Sequence, residues 1–114
     1  MKELEVLNFN IKGQYFPIKF PNIGDFRKIE VLKQTLSGGQ YFNMVNSALD
    51  ASYEALEIID IESYFSVLCP ELLKAIDEKA GAFSELGMID FNELRDAYIA
   101  QFVPWWNEIL KLVS

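Results

Sequence analysis

No histidine occurs in this chain of 114 residues, and Cys69 is its single cysteine. The first absence removes the commonest general base and metal ligand, and with them every Ser-His or Cys-His nucleophile. The second excludes an intrachain disulfide and leaves a zinc site to carboxylates nearly alone, an unusual donor set for that metal. EF-hand spacing is missing as well. Long apolar runs are also wanting. Ile99 to Trp106 is broken by Gln101 and Pro104, far short of the roughly 20 residues that span a bilayer. The opening Met1-Lys2-Glu3-Leu4-Glu5 has neither the cationic nor the apolar part of a secretory signal. These absences indicate a cytoplasmic protein in a reducing compartment, with no membrane partner.

Basic residues are scarce where acidic ones gather. Residues 1 to 46 hold six Lys/Arg against four Asp/Glu, and residues 47 to 114 hold four against thirteen, for a formal net charge of -7. Arg27, Lys28 and Lys33 are too few to neutralise a row of phosphates, so no nucleic-acid partner is expected. With 51% hydrophobic and 24% charged residues, the composition is that of an ordered chain. At this length one core suffices, and a single domain over 1–114 is expected, with a β-hairpin over 1–21 and helices over 22–114.

Leu7, Phe9 and Ile11 alternate with polar residues, and after Gly13-Gln14 the alternation resumes at Phe16, Ile18 and Phe20, the pattern of a hairpin. Pro17 cannot donate to a ladder, so the second strand is short and presents an edge. Asn22-Ile23-Gly24-Asp25 opens a first helix that stops at Ser37-Gly38-Gly39. Tyr41, Met44, Val45, Ala48, Leu49 and Leu56 carry a second, longer helix. Ile59-Asp60-Ile61 and Ile89-Asp90-Phe91 each place a carboxylate where it would cap a new helix, the latter with Glu93 as capping-box partner and Ile89 stapling onto Leu94. Pro70 ends one helix near Leu68 and suits the first turn of another through Ile76. Residues 79 to 87 form a loop, and Pro104 kinks or splits the last helix. The fold class is α+β, mostly α: a short N-terminal hairpin packed on about five helices.

Candidate sites resolve mainly into ordinary structure. Asp50, Glu54 and Glu57 lie at helical spacing and read as a solvated face rather than a hydrolytic pair. Cys69 has no histidine beside it and reads as a small buried hydrophobe. Ser37-Gly38-Gly39 lacks the lysine of a phosphate loop. No catalytic residue, metal or cofactor is expected. The last helix stands apart, because Tyr98, Phe102, Trp105, Ile109 and Leu112 form one apolar stripe while Ile99, Val103, Trp106, Leu110 and Val113 form a second beside it. The first continues the core row of Phe91 and Leu94. The second is therefore assigned to a protein partner, through Ile99, Val103, Trp106 and Leu110, with Trp106 as its anchor.

The order of elements, an acidic chain with a hairpin and then several short helices, resembles the tail assembly chaperones of long-tailed bacteriophages. The likeness is carried by Asn10-Ile11-Lys12-Gly13-Gln14-Tyr15-Phe16 leading to Phe20-Pro21-Asn22, by Gly39-Gln40-Tyr41, by Leu68-Cys69-Pro70-Glu71-Leu72 and by the run from Tyr98 to Trp106. It covers most of the chain. The resemblance implies a non-enzymatic protein of the host cytoplasm that binds the tape-measure protein during tail assembly and is absent from the finished particle. Self-association stands beside it. Two other readings stay open: a small acidic inhibitor that covers a basic surface on a host protein, and a minor structural virion protein of the neck or tail-completion kind that adds a strand edge to a neighbour.

Overall fold

The computed structural model describes residues 6 to 47 and 49 to 113, the last of these in its backbone only. The opening Met1–Glu5 and Ala48 of the expected second helix lie outside the described residues. The fold class is the expected one: a two-stranded antiparallel hairpin followed by five helical runs. Backbone contacts divide the chain into two compact units, residues 1–20 with 69–114, and residues 21–68.

In the first unit, β1 (Leu7–Ile11) pairs with β2 (Gln14–Ile18), with Phe9 opposite Phe16. Lys12 and Gly13 form the loop at φ 52 and 84, the two left-handed residues of a type I′ turn, whose twist matches the strands. Glycine takes that conformation without strain, and the side chain of Asn10 supports it by accepting from Gly13 N at 2.9 Å. Alternate side chains Phe9, Phe16 and Ile18 are buried, and β1 lies against the C-terminal helices of its own unit. A lone hairpin is marginal in water, so this burial is what holds it.

Helix α4 (Pro70–Ala80) begins with proline at its first position, as expected, but runs one turn past Ile76 to a left-handed Gly81. A 3-10 turn at Phe83–Glu85 leads to α5 (Met88–Ala97), a π-helical turn (Tyr98–Phe102) and α6 (Val103–Val113), one continuous helical run. The expected cap at Asp90 is corrected. Gly87 is the N-cap, Asp90 sits in the first turn paired to Lys79 at 3.4 Å, and Ile89 is 81% exposed rather than stapled to Leu94. Asp90 thus meets the positive end of the helix without capping it.

In the second unit, α1 (Ile23–Leu36) starts with a reciprocal capping box. Asn22 Oδ1 accepts from Asp25 N at 2.8 Å while Asp25 Oδ2 accepts from Asn22 N at 3.0 Å. The expected long second helix is broken into α2 (Tyr41–Val45) and α3 (Asp50–Leu68). The expected helix start at Asp60 is likewise overturned, since α3 passes through Asp60 without interruption. No proline or glycine lies between residues 40 and 69; instead Asn46 Nδ2 donates to Phe42 O at 2.9 Å where α2 ends, Ser47 Oγ accepts from Leu49 N at 3.2 Å ahead of α3, and the Tyr41 hydroxyl ties the two helices together by donating to Asp60 Oδ1 at 2.5 Å. In one straight helix those residues would stand roughly 28 Å apart at 1.5 Å per residue.

Candidate functional site

Pro104 accounts for the geometry of the C-terminal run. A proline inside an α-helix clashes with the carbonyl four residues back and leaves it without its bond, and the π turn over Tyr98–Phe102 stands directly before it. Such a turn holds an extra residue, which rotates the downstream helix by about one position, or 100°. The two stripes therefore merge. Phe102, 0% exposed, becomes the hub: Tyr98 stacks on it at 5.2 Å, Trp106 stacks on it at 5.5 Å, and Trp105 tilts against it at 5.6 Å. Phe20 closes edge-on to Trp105 at 6.4 Å.

This corrects the anchor assigned from sequence. Trp106 is buried, 7% exposed, and belongs to the aromatic core with Trp105 and Ile109. Of the other three assigned positions, Ile99 and Leu110 are 49% and 39% exposed and Val103 is half-buried. Leu112, expected in the core row, is exposed. The side chain of Val113 lies outside the described residues.

Gln101, on the π turn, plays a part that helical periodicity had no means of showing. Its side-chain amide accepts from Asn10 N and donates to Asn10 O, both at 2.8 Å. A two-residue loop makes Ile11 and Gln14 a hydrogen-bonded pair, so the backbone groups of Asn10 point away from β2. Gln101 thus occupies the outer edge of β1 as a neighbouring strand would. Pro17 faces outward on β2 by the same alternation, so its missing N–H costs no ladder bond, and its carbonyl accepts from Cys69 Sγ at 3.4 Å. Gln101→Ala should lower stability by about 1 to 2 kcal/mol in urea titration, the usual result of stranding buried backbone groups. A cost near zero would show that water replaces the amide.

Cys69 is 1% exposed. Burial pushes its thiol up from the ordinary value, outweighing a hydrogen bond from the backbone of Leu72, which makes it a poor thiolate donor.

The second unit holds a polar cluster that no local pattern marks. Lys33 is 7% exposed, and its Nζ donates to the Tyr64 hydroxyl at 3.0 Å, with Glu30 at 3.2 Å and Asp60 at 3.9 Å. The ammonium also lies 4.6 Å from the Tyr64 ring centre and 5.3 Å from that of Tyr41, within cation–π range. Burial opposes the charge of Lys33, but Tyr64, Asp60 and Tyr41 outweigh it and hold its pKa above the ordinary value. Burial likewise raises Asp60, against the lowering effects of Tyr41 and Lys33. The cluster joins α1, α2 and α3 and has a full set of internal partners, the state of a structural clamp.

A hollow of about 240 Å³ in the first unit is floored by Ile11, Phe16, Leu72, Ile76 and Leu94. Its charged rim is already paired, Lys12 with Glu93 at 2.6 Å and Lys79 with Asp90 at 3.4 Å. Among the described residues no three His, Cys, Asp or Glu side chains gather where a metal ion would be held.

Comparison with family models, curated proteins and solved structures returns no match. The functional reading therefore rests on the chain itself. Among the described residues no helix is long and apolar enough to cross a membrane.

Proposed function

We propose that this protein is a non-enzymatic binding protein, a tail assembly chaperone of a long-tailed bacteriophage that engages the tape-measure protein in the host cytoplasm. The observation that supports it is the apolar exposure of the C-terminal helical run: Ile99 and Leu110 are exposed and Val103 is half-buried, outside the aromatic core that surrounds Phe102. Trp106 belongs to that core and does not reach the surface. Apolar side chains held on a rigid helix suit a client that exposes apolar helical segments. The strand-adding virion reading fits less well, because Gln101 and Pro17 interrupt both outer edges of the hairpin.

Co-expression tests the proposal. The chain should keep in solution the tape-measure protein encoded beside it, and Ile99→Ser with Leu110→Ser should abolish that effect while the variant still unfolds cooperatively in urea. A double variant that protects the client as well as the wild type would overturn the assigned surface.

A further inference from the structure

Between α1 and α3 the second unit carries a shallow groove, walled by Arg27, Lys28, Val31 and Leu32 on one side and by Ser66 and Val67 on the other. On α1 the positions Ile23, Arg27 and Val31 follow at four-residue steps and so stand in one row. Ile23 is 77% and Val31 65% exposed, and both cations are exposed as well. The row is apolar and cationic at once, and it is turned to water.

Among the described residues Arg27 and Lys28 make no ion pair and no side-chain hydrogen bond. The acids placed to pair with them along the helix are engaged elsewhere. Asp25, three before Lys28, accepts from Asn22 N at 3.0 Å in the capping box, and Glu30, three after Arg27, pairs with Lys33 at 3.2 Å. Two cations this close to the positive end of α1 gain nothing from its dipole either. At physiological ionic strength charges farther off than about 8 Å are largely screened, so Arg27 and Lys28 set the sign at the groove although the chain carries a net charge of -7. Two cations are too few for a row of phosphates or for the surface of an anionic bilayer.

We infer that the groove between α1 and α3 is a docking surface for a partner helix that carries Asp or Glu beside an apolar face. Val31, Leu32 and Val67 supply the apolar contact, and the unpaired Arg27 and Lys28 select carboxylates. This surface is separate from Ile99 and Leu110, and the inference stands whether or not the tape-measure proposal holds.

Two synthetic amphipathic helices test it, identical in their leucine face but with polar faces of glutamate or of lysine, titrated into the full chain by calorimetry at low and high salt. The glutamate peptide should bind, and more weakly at high salt. Arg27→Glu with Lys28→Glu should weaken it by roughly tenfold or more without lowering the urea midpoint, since acids are favoured near a helix start. The same variant should not weaken the lysine peptide, which has no attraction to this groove. Ile23→Ser with Val31→Ser keeps both charges and should also weaken the glutamate peptide, leaving its salt dependence in place. Failure of the glutamate peptide to bind, or undiminished binding in whichever of the two variants keeps the wild-type urea midpoint, would overturn the inference. Equal loss of both peptides on charge reversal would do so as well. So would sedimentation showing that the wild type self-associates and that Arg27→Glu with Lys28→Glu abolishes it, which would make the occupant a second copy.

Discussion

Trp106→Ala is expected to lower the unfolding free energy by roughly 3 to 5 kcal/mol, the range for removing a large aromatic from a packed interior. The indole is 7% exposed and stacks on Phe102 at 5.5 Å while touching Trp105 at 6.3 Å between ring centres. Truncation leaves a void against Phe102, which has no route to water, and its neighbours Tyr98 and Trp105 compete to fill the space. Partial collapse would place the cost at the lower end. Leu110→Ala, at 39% exposure, should cost under about 1 kcal/mol in the same denaturant series. Similar losses at the two positions would show that the downstream helix is not rotated as the π turn requires.

The second large effect concerns Lys33→Met, which keeps the length of the side chain and removes its charge. A cost of about 2 to 3 kcal/mol is expected, below the full range for breaking a buried pair because Asp60 and Glu30 retain some contact with water. Most of the loss comes from Asp60, whose side chain is 22% exposed and would keep only the Tyr41 hydroxyl. Adding Asp60→Leu should recover part of it, and a double-mutant cycle measures the coupling; strictly additive effects would show that the two charges do not interact. The pH dependence has a definite sign. Lys33, Tyr41 and Tyr64 are all raised, so their contribution is complete below the ordinary values near 10 and is lost as pH rises beyond them. Asp60 is raised too, so its own contribution is larger when it is protonated and does not decline on acidification. The wild-type denaturation midpoint should therefore fall above about pH 10, with no matching fall from this cluster on the acid side.

What the sequence makes legible is what local chemistry decides. The alternation through Phe9 and Phe16, the helix start at Asn22-Ile23-Gly24-Asp25, the glycine stop after Leu36 and the proline at the head of α4 each act within a few residues, and the structure carries all of them. The misreadings share a cause. A carboxylate after an isoleucine looks like a cap at both Asp60 and Asp90, yet Asp60 is claimed by Tyr41 and Asp90 by Lys79. The break between α2 and α3 carries only the weak local marks of Asn46 and Ser47, whose side chains bond the neighbouring backbone, and the Tyr41–Asp60 contact that spans it joins residues 19 apart. In the C-terminal run the core row was legible from Tyr98 through Ile109, and only Leu112 departs from it. Pro104 announced a disturbance but not its form, and one extra residue in the turn was enough to bring Trp106 inside. The candidate surface was thus read correctly as apolar and incorrectly in its anchor.

Gln101 has a further consequence for the behaviour of the chain in a crowded cell. A small β-hairpin ordinarily offers two rows of backbone groups on which extended segments of other chains can nucleate, and cross-β growth proceeds from such templates. Here a side-chain amide imitates the absent strand at Asn10, and a proline opposite Asn8 stands on the other edge. In a protein that displays Phe42, Leu49, Ile99 and Leu110 to water, each edge of the hairpin is thereby interrupted as a backbone template for cross-β growth.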